Sequence, residues 1–160
     1  MKLLFKQKLF SWLDSYSIYD EAGNIAYDVR GKLAWGHCFK VYDSRECEVG
    51  TVKQRIVSFL PRFDIYIGEE LRGTIKKEIS FFKPKFTIDY NGWQVDGNFF
   101  EYDYSVTDAF GRHIATVTKQ FFNFTDTYVI DVADSANALN VLMLVLAIDA
   151  EKCSREDRSH

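Results

Sequence analysis

The chain has 160 residues, of which 47% are hydrophobic and 27% are charged, and its formal net charge is −3. This length fits a single domain, the acidic balance argues against nucleic acid as a partner, and three widely spaced cysteines fit reduced thiols better than a disulfide framework. Residues 1–13 place three lysines among their apolar residues, so the sequence predicts no signal peptide and a cytoplasmic protein.

An aromatic pattern occurs six times along the chain. In each copy an aromatic residue is followed four positions later by a second aromatic, and two positions after that by a β-branched residue. The copies are Trp12/Tyr16/Ile18, Trp35/Phe39/Val41, Phe59/Phe63/Ile65, Phe82/Phe86/Ile88, Phe100/Tyr104/Val106 and Phe124/Tyr128/Ile130. Their first aromatics are separated by 23, 24, 23, 18 and 24 residues, and a period of this size predicts a repeat architecture.

Each copy of the pattern predicts one β-hairpin. The second aromatic and the β-branched residue are two positions apart, which places both side chains on one face of an extended strand. Most copies have turn formers or breakers just after the first aromatic, such as Pro61 and Pro84, and the other end of each unit has further turn signals, such as Asn91-Gly92. Six such units predict about twelve strands of ordinary length.

Residues 135–150 predict a helix because they are rich in Ala, Leu and Met, and Asp134 or Ser135 can cap its N-terminus. No polar residue interrupts the run from Val141 to Ile148, and a helix that is apolar all round is buried in protein or in lipid. A bilayer span needs about 20 apolar residues, so the sequence favours a buried core helix. Residues 151–160 are charged and predict a flexible tail.

Together these elements predict an all-β fold with one helix. A sheet of this size curls, and closure removes its exposed edges. A barrel of about eight strands is filled by its own side chains, whereas a wider one needs a plug. We therefore predict a closed antiparallel β-barrel of about twelve strands, built from six hairpin repeats, around a buried C-terminal α-helix, with residues 1–150 forming one domain.

Charge is distributed unevenly along the chain. Residues 50–85 contain eight basic and four acidic residues (+4), whereas residues 86–160 contain five basic and twelve acidic residues (−7). Lys53 and Lys76 occupy the same repeat position in neighbouring hairpins, as do Arg62 and Lys85, and such positions are about 10 Å apart. That separation suits two cations that hold a phosphorylated head group or an anionic membrane surface. The candidate ligand-binding residues are Lys53, Arg55, Arg62, Lys76, Lys77, Lys83 and Lys85.

The sequence contains no motif that predicts a reaction, a metal site or a cofactor. It has neither a Gly-x-Ser-x-Gly nucleophile elbow nor a Gly-x-x-x-x-Gly-Lys phosphate loop, and His37, Cys38 and Cys47 lack the spacing of four zinc ligands. Several acidic residues could offer oxygen ligands to calcium, but they alternate with aromatics as solvent-facing strand positions do. These residues are Asp89, Asp96, Glu101, Asp103 and Asp108.

Several segments resemble the bacterial LURP-one-related proteins of the tubby C-terminal-like superfamily, which are related to phospholipid scramblases. The segments are Lys6–Trp12, Ile18–Glu21, Phe81–Phe86, Gly92-Trp93 and Tyr128–Asp134 with the apolar helix that ends at Ile148-Asp149. The resemblance implies a twelve-stranded barrel around a C-terminal helix. Tubby domains bind phosphoinositides at membranes and scramblases are linked to calcium and lipid movement, whereas most LURP-one-related proteins have no established biochemistry. The chain lacks the long spanning segment and the cysteine cluster that accompany scrambling.

Two functions fit these observations. The first is a non-enzymatic, cytoplasmic, tubby-like barrel that binds anionic phospholipid or another phosphorylated ligand on its basic face, as a peripheral membrane protein. The alternative is a protein-interaction scaffold without lipid affinity, in which the lysines protect the sheet surface and aid solubility.

Overall fold

The computed structural model describes residues 1–5, 15–34, 36–57, 59–60, 62–78, 85–122 and 125–156. Its strands are β1 (Lys2–Phe5), β2 (Ser15–Tyr19), β3 (Ile25–Ala34), β4 (Gly36–Asp43), β5 (Glu48–Gln54), β6 (Arg62–Ile67), β7 (Glu70–Glu78), β8 (Lys85–Tyr90), β9 (Gln94–Asn98), β10 (Asp103–Thr107), β11 (His113–Phe122) and β12 (Thr125–Val132). Short 3₁₀ helices span Phe99–Glu101 and Ser135–Asn137, and the α-helix α1 spans Ala138–Glu156.

The twelve strands form one antiparallel sheet that curls into a nearly closed barrel. Strands that follow one another in the chain are paired from β1 to β8 and from β9 to β12, and β12 pairs with β1. The hydrogen-bonded order therefore begins at β8 and ends at β9, two strands that are consecutive in the chain. The predicted twelve-stranded antiparallel barrel with a C-terminal helix is confirmed.

The inner wall of the barrel is lined by the residues that the repeat placed on one face. Nine of the second aromatics and β-branched residues are buried: Ile18, Phe39, Val41, Phe63, Ile65, Tyr104, Val106, Tyr128 and Ile130. Tyr16 and Ile88 are partly buried against the same core. Among the first aromatics, Phe59 differs because it is 96% exposed, while Trp12, Trp35, Phe82 and Phe124 lie outside the described residues.

Four hairpins contain an irregularity just after the β-branched residue of the repeat. The pairing register shifts at Ile18/Tyr19, Val41/Tyr42, Ile65/Tyr66 and Val106/Thr107. A bulge bends its strand and increases the local twist. Bulges at equivalent repeat positions therefore help the sheet to curl around the helix.

Helix α1 fills the barrel, and residues 141–150 are all buried. Its N-terminal 3₁₀ turn is capped by Asp134, whose carboxylate accepts the N–H of Ala136. The helix continues to Glu156, beyond its predicted end at Ala150, and Glu151 is only 1% exposed. The helix boundary was therefore predicted too early, because the charged residues after Ala150 continue the helix. Residues 157–160 lie outside the described residues, and a flexible tail there stays a prediction.

The connections between strands lie at two opposite ends of the barrel. Turns from even- to odd-numbered strands lie at what we call the aspartate end, where Asp20, Asp43 and Asp108 each accept backbone N–H groups from residues two and four positions later. The described connections from odd- to even-numbered strands lie at the opposite end, the loop end, and include residues 55–57 and 59–60 between β5 and β6. Because α1 follows β12, it runs from the aspartate end towards the loop end.

Candidate ligand-binding face

Four of the candidate cations lie on the outer surface of the barrel, on or just after strands β5, β6 and β7. The inward residues of these strands are 0% exposed: Val52, Phe63, Ile65 and Ile75. Since side chains alternate along a strand, Lys53, Arg62 and Lys76 lie on the outer surface, and Arg55 joins them just after β5. We call Lys53, Arg55, Arg62 and Lys76 the basic face.

A buried carboxylate lies among these cations. Asp64 is 5% exposed, and its Oδ2 accepts hydrogen bonds from Arg55 Nε at 3.0 Å and Nη2 at 2.7 Å. Its Oδ1 accepts a 3.0 Å bond from Thr74 Oγ1 and lies 3.8 Å from Arg62 Nε. Asp64 therefore fixes Arg55 and neutralises part of the charge of both arginines, an arrangement that the sequence did not predict.

Lys53 and Lys76 are both exposed, and neither forms an ion pair with a residue that the structure describes. Lys53 pairs with Asp64 across β5 and β6, whereas Lys76 pairs with Arg62 across β6 and β7. The two lysines thus lie in adjacent cross-strand rows. Strand geometry places their Cα atoms about 12 Å apart. This is slightly more than the predicted separation of about 10 Å, because the rows are offset by two residues.

Two of the other three candidate residues belong to the next part of the same sheet. Lys77 pairs with Phe86 and Lys85 pairs with Glu78 in the ladder between β7 and β8. The side chains of Lys77 and Lys85, and the whole of Lys83, lie outside the described residues. Whether Arg62 and Lys85 act together therefore stays a prediction.

The basic face adjoins an exposed apolar loop at the loop end of the barrel. Between Arg55 and Arg62, Ile56 is 52% exposed, Val57 is 98% exposed and Phe59 is 96% exposed. The base of the loop is closed by a 2.8 Å hydrogen bond from the N–H of Arg55 to the carbonyl of Arg62. Only a weak sequence signal pointed to this loop, because Phe59 was assigned only as the first aromatic of its repeat.

A cleft of about 620 Å³ lies along β1, β2 and the turn that follows β2. It is lined by Leu4, Phe5, Ser15, Tyr16, Ser17, Tyr19, Asp20, Glu21 and Gly23. Hydrogen bonds, led by the backbone N–H of Asn24, lower the pKa of Asp20, which keeps that carboxyl group negative. With Asp20 and Glu21 in its lining, the cleft does not suit an anionic ligand, and the basic face does.

Cys38 pairs with Lys53 across β4 and β5, but its thiol is not activated. The side chain is 8% exposed. Burial raises the pKa of the Cys38 thiol, and this effect outweighs the opposing effect of Lys40 and Lys53. Because the thiolate is the nucleophile, a neutral buried thiol gives no support to an enzymatic role.

The acidic residues of the C-terminal half do not converge. Asp89, Asp96, Glu101 and Asp103 are exposed, as predicted for solvent-facing positions. Asp108 is 9% exposed instead, because its carboxylate closes the turn before β11. Among the described residues no three His, Cys, Asp or Glu side chains form a group that could hold a metal ion.

None of the described helices has the length and apolarity to cross a bilayer.

Comparison with known proteins places the whole chain beside one family. The model of that family, described as LURP-one-related, matches residues 1–149. The uncharacterized protein YxjI of Bacillus subtilis is 29% identical over 161 residues, which cover 99% of this chain and 98% of that protein. No solved structure matches the chain.

Proposed function

We propose that this chain, which belongs to the LURP-one-related family, is a non-enzymatic barrel whose basic face binds phosphate groups. The ligand is either the head group of an anionic phospholipid or a soluble phosphorylated molecule. Lys53 and Lys76 make the contacts, and Arg55 and Arg62 add positive potential behind them. In this proposal the protein is cytoplasmic and binds membranes peripherally.

The observation that carries this proposal is that Lys53 and Lys76 form no ion pair with any residue that the structure describes. Two other cations on the outer surface are neutralised by nearby carboxylates, since Arg30 is paired with Glu46 and Lys40 with Glu48. The Lys40 ammonium lies 2.6 Å from a carboxylate oxygen of Glu48. Two neighbouring exposed lysines without such a partner in the described part of the chain, whose net charge is −3, offer a local site for an anion.

The charges of the basic face favour a salt-dependent interaction. Four cations and Asp64 give it a local charge of +3, from +4 and −1. A lysine near an anionic surface contributes about 1 kcal/mol, and the attraction is screened beyond about 8–10 Å at ordinary ionic strength. Lys53 and Lys76, which lie on the surface itself, are therefore expected to dominate binding.

Vesicle sedimentation tests the proposal directly. The wild-type protein is mixed with phosphatidylcholine vesicles that do or do not contain phosphatidylglycerol, at low and at high salt. We expect binding only to the anionic vesicles, and about tenfold or more weaker binding by Lys53→Gln/Lys76→Gln. Arg30→Gln/Lys40→Gln is the matched control. It also removes two positive charges, but from positions that are already ion-paired.

A second measurement distinguishes the two sources of phosphate. Calorimetric titration with inositol hexakisphosphate tests whether the face binds a soluble phosphorylated molecule. If the wild-type protein binds neither this compound nor anionic vesicles at low salt, the proposal is wrong and the protein-scaffold alternative is the better one. Equal weakening by both double variants would show that net charge, not the basic face, controls binding.

A further inference from the structure

We propose that the loop between β5 and β6 is a membrane-insertion element, in which Val57 and Phe59 enter the boundary between head groups and acyl chains of an anionic bilayer. This inference rests on the proposed function and deepens it, because it commits the ligand to a lipid surface. Insertion adds the burial of apolar side chains to the electrostatic attraction of the basic face.

The first support is the exposure of the loop's apolar side chains. Val57 and Phe59 are 98% and 96% exposed, so they contribute almost nothing to the core. Exposed apolar surface is unfavourable in water by about 25 cal/mol for each Å². Two large apolar side chains that project together from one loop therefore favour a surface that covers them.

The second support is the charge at the base of the loop. Arg55 and Arg62 flank the apolar tip; Asp64 hydrogen-bonds Arg55 and lies 3.8 Å from Nε of Arg62. The N–H of Arg55 also bonds to the carbonyl of Arg62 at 2.8 Å, which ties the two ends of the loop together. A rigid base with cations and an apolar tip matches an anionic interface, where charged groups lie at the head groups and apolar groups lie deeper.

The shape of the site favours a lipid surface over a small ligand. The described cleft lies elsewhere, along β1 and β2, and contains acidic residues. The basic face lies on the outside of a sheet, and its neighbouring loop projects from the end of the same hairpin. Both features are accessible to an extended surface, and the charge of the face is complementary to an anionic one.

Phe110 provides a comparison within the same molecule. It is 86% exposed, but it lies at the aspartate end of the barrel, opposite the β5–β6 loop. Its turn is closed by Asp108, whose carboxylate accepts the Phe110 N–H and is ion-paired with Arg112. A phenylalanine that is also largely exposed, but lies in a neutralised turn, is therefore a matched control for the apolar effect alone.

The first test compares Val57→Ser/Phe59→Ser with Phe110→Ser in sedimentation with phosphatidylglycerol-containing vesicles. We expect the loop variant to bind about tenfold or more weakly and the Phe110 variant to bind like the wild type. The loss should persist at high salt, where the effect of Lys53→Gln/Lys76→Gln shrinks. Because the substituted side chains are exposed, all variants should keep the wild-type melting temperature, which thermal unfolding will check.

The second test detects insertion directly. Phe59→Trp and Phe110→Trp are mixed with the same vesicles carrying a nitroxide on the lipid acyl chain, and the change in tryptophan quenching is compared with that of the wild type. Additional quenching is expected for Phe59→Trp only. No additional quenching at position 59, while the protein remains bound to the vesicles, would overturn insertion.

The outcomes separate this inference from the proposed function. Wild-type vesicle binding that Val57→Ser/Phe59→Ser fully retains would leave the basic face as the binding site and remove the role of the loop. Binding of inositol hexakisphosphate alone, without vesicle binding, would support phosphate recognition and exclude membrane insertion. A third outcome is that Val57→Ser/Phe59→Ser reduces self-association in the absence of vesicles but does not change vesicle binding. This outcome would show that the loop contacts protein and not lipid.

Discussion

The hydroxyl group of Tyr102 donates a 2.7 Å hydrogen bond to Oδ1 of Asp149 in the interior of the barrel. Tyr102 lies between β9 and β10 at the loop end, and Asp149 is a polar residue of α1 that is 3% exposed. Towards the aspartate end, the hydroxyl of Tyr90 donates a 2.8 Å bond to Oδ1 of Asn140. Two tyrosines of the wall therefore fix the axial position of the helix, which its apolar surface alone would not define.

Replacement of Tyr102 by Phe should destabilise the protein more than replacement of Tyr90 by Phe. The bond to Asp149 is buried, whereas the bond to Asn140 is only partly buried, and removing the donor of a buried acceptor costs about 1–3 kcal/mol. Burial raises the pKa of Tyr102, with a further contribution from Asp149, so Tyr102 remains a donor. Urea denaturation of both variants measures the difference in stability. Equal losses of stability would show that the bond between Tyr102 and Asp149 contributes no more than the bond between Tyr90 and Asn140.

Replacement of Gly50 by alanine should destabilise the protein, because Gly50 lies directly against a buried side chain of the helix. A Cβ atom at this position would lie 2.6 Å from Sδ of Met143 and 2.8 Å from its terminal methyl. Such overpacking usually destabilises by about 1–3 kcal/mol. The double variant Gly50→Ala/Met143→Ala should lose less stability than the sum of the single variants, since the shorter side chain makes room. Simple additivity in denaturation experiments would contradict this contact.

Replacement of Asp64 by Asn should have opposite effects on stability and on binding. The variant loses the ion pair with Arg55, which we expect to lower the free energy of unfolding by about 1–3 kcal/mol. It also raises the local charge of the basic face by one unit and releases Arg55 and Arg62 towards solvent. Binding to anionic vesicles should therefore become stronger at low salt, and weaker binding by the folded variant would argue against the basic face.

The aspartate turns should make stability fall in acid. Hydrogen bonds to Asn24 lower the pKa of Asp20, and at Asp108 the bonds to Arg112 and Phe110 outweigh burial and lower the pKa below the ordinary 3.8. A depressed pKa means that this stabilisation is fully present above pH 3.8 and is lost as the pH falls through the lower folded value.

The matched variant for this pH dependence is Asp20→Asn/Asp108→Asn, which keeps an acceptor oxygen but cannot titrate. The wild type should be more stable than the variant at neutral pH, and the difference should shrink below pH 3.8. Urea denaturation across this range measures both proteins. A difference that is constant with pH would show that ionisation of these turns does not stabilise the fold.

Much of the architecture follows from the sequence because it depends on local patterns. Two residues spaced two apart share a face of a strand, so Phe63 and Ile65 could be placed inside before the fold was known. The apolar run from Val141 to Ile148 likewise required a buried helix. The end of that helix was predicted too early, because charge alone does not show that Glu151 is enclosed at the loop end.

The arrangement of the basic face was decided by the tertiary structure. Sequence spacing showed that Lys53 and Lys76 are equivalent in the repeat. Strand register, however, places Asp64 opposite Lys53 and Arg62 opposite Lys76. The repeat identified Phe59 but did not distinguish an inward aromatic from one that is 96% exposed. Local spacing determines which face of a strand a side chain occupies, whereas only the pairing of strands determines which charges meet and which apolar side chains remain uncovered.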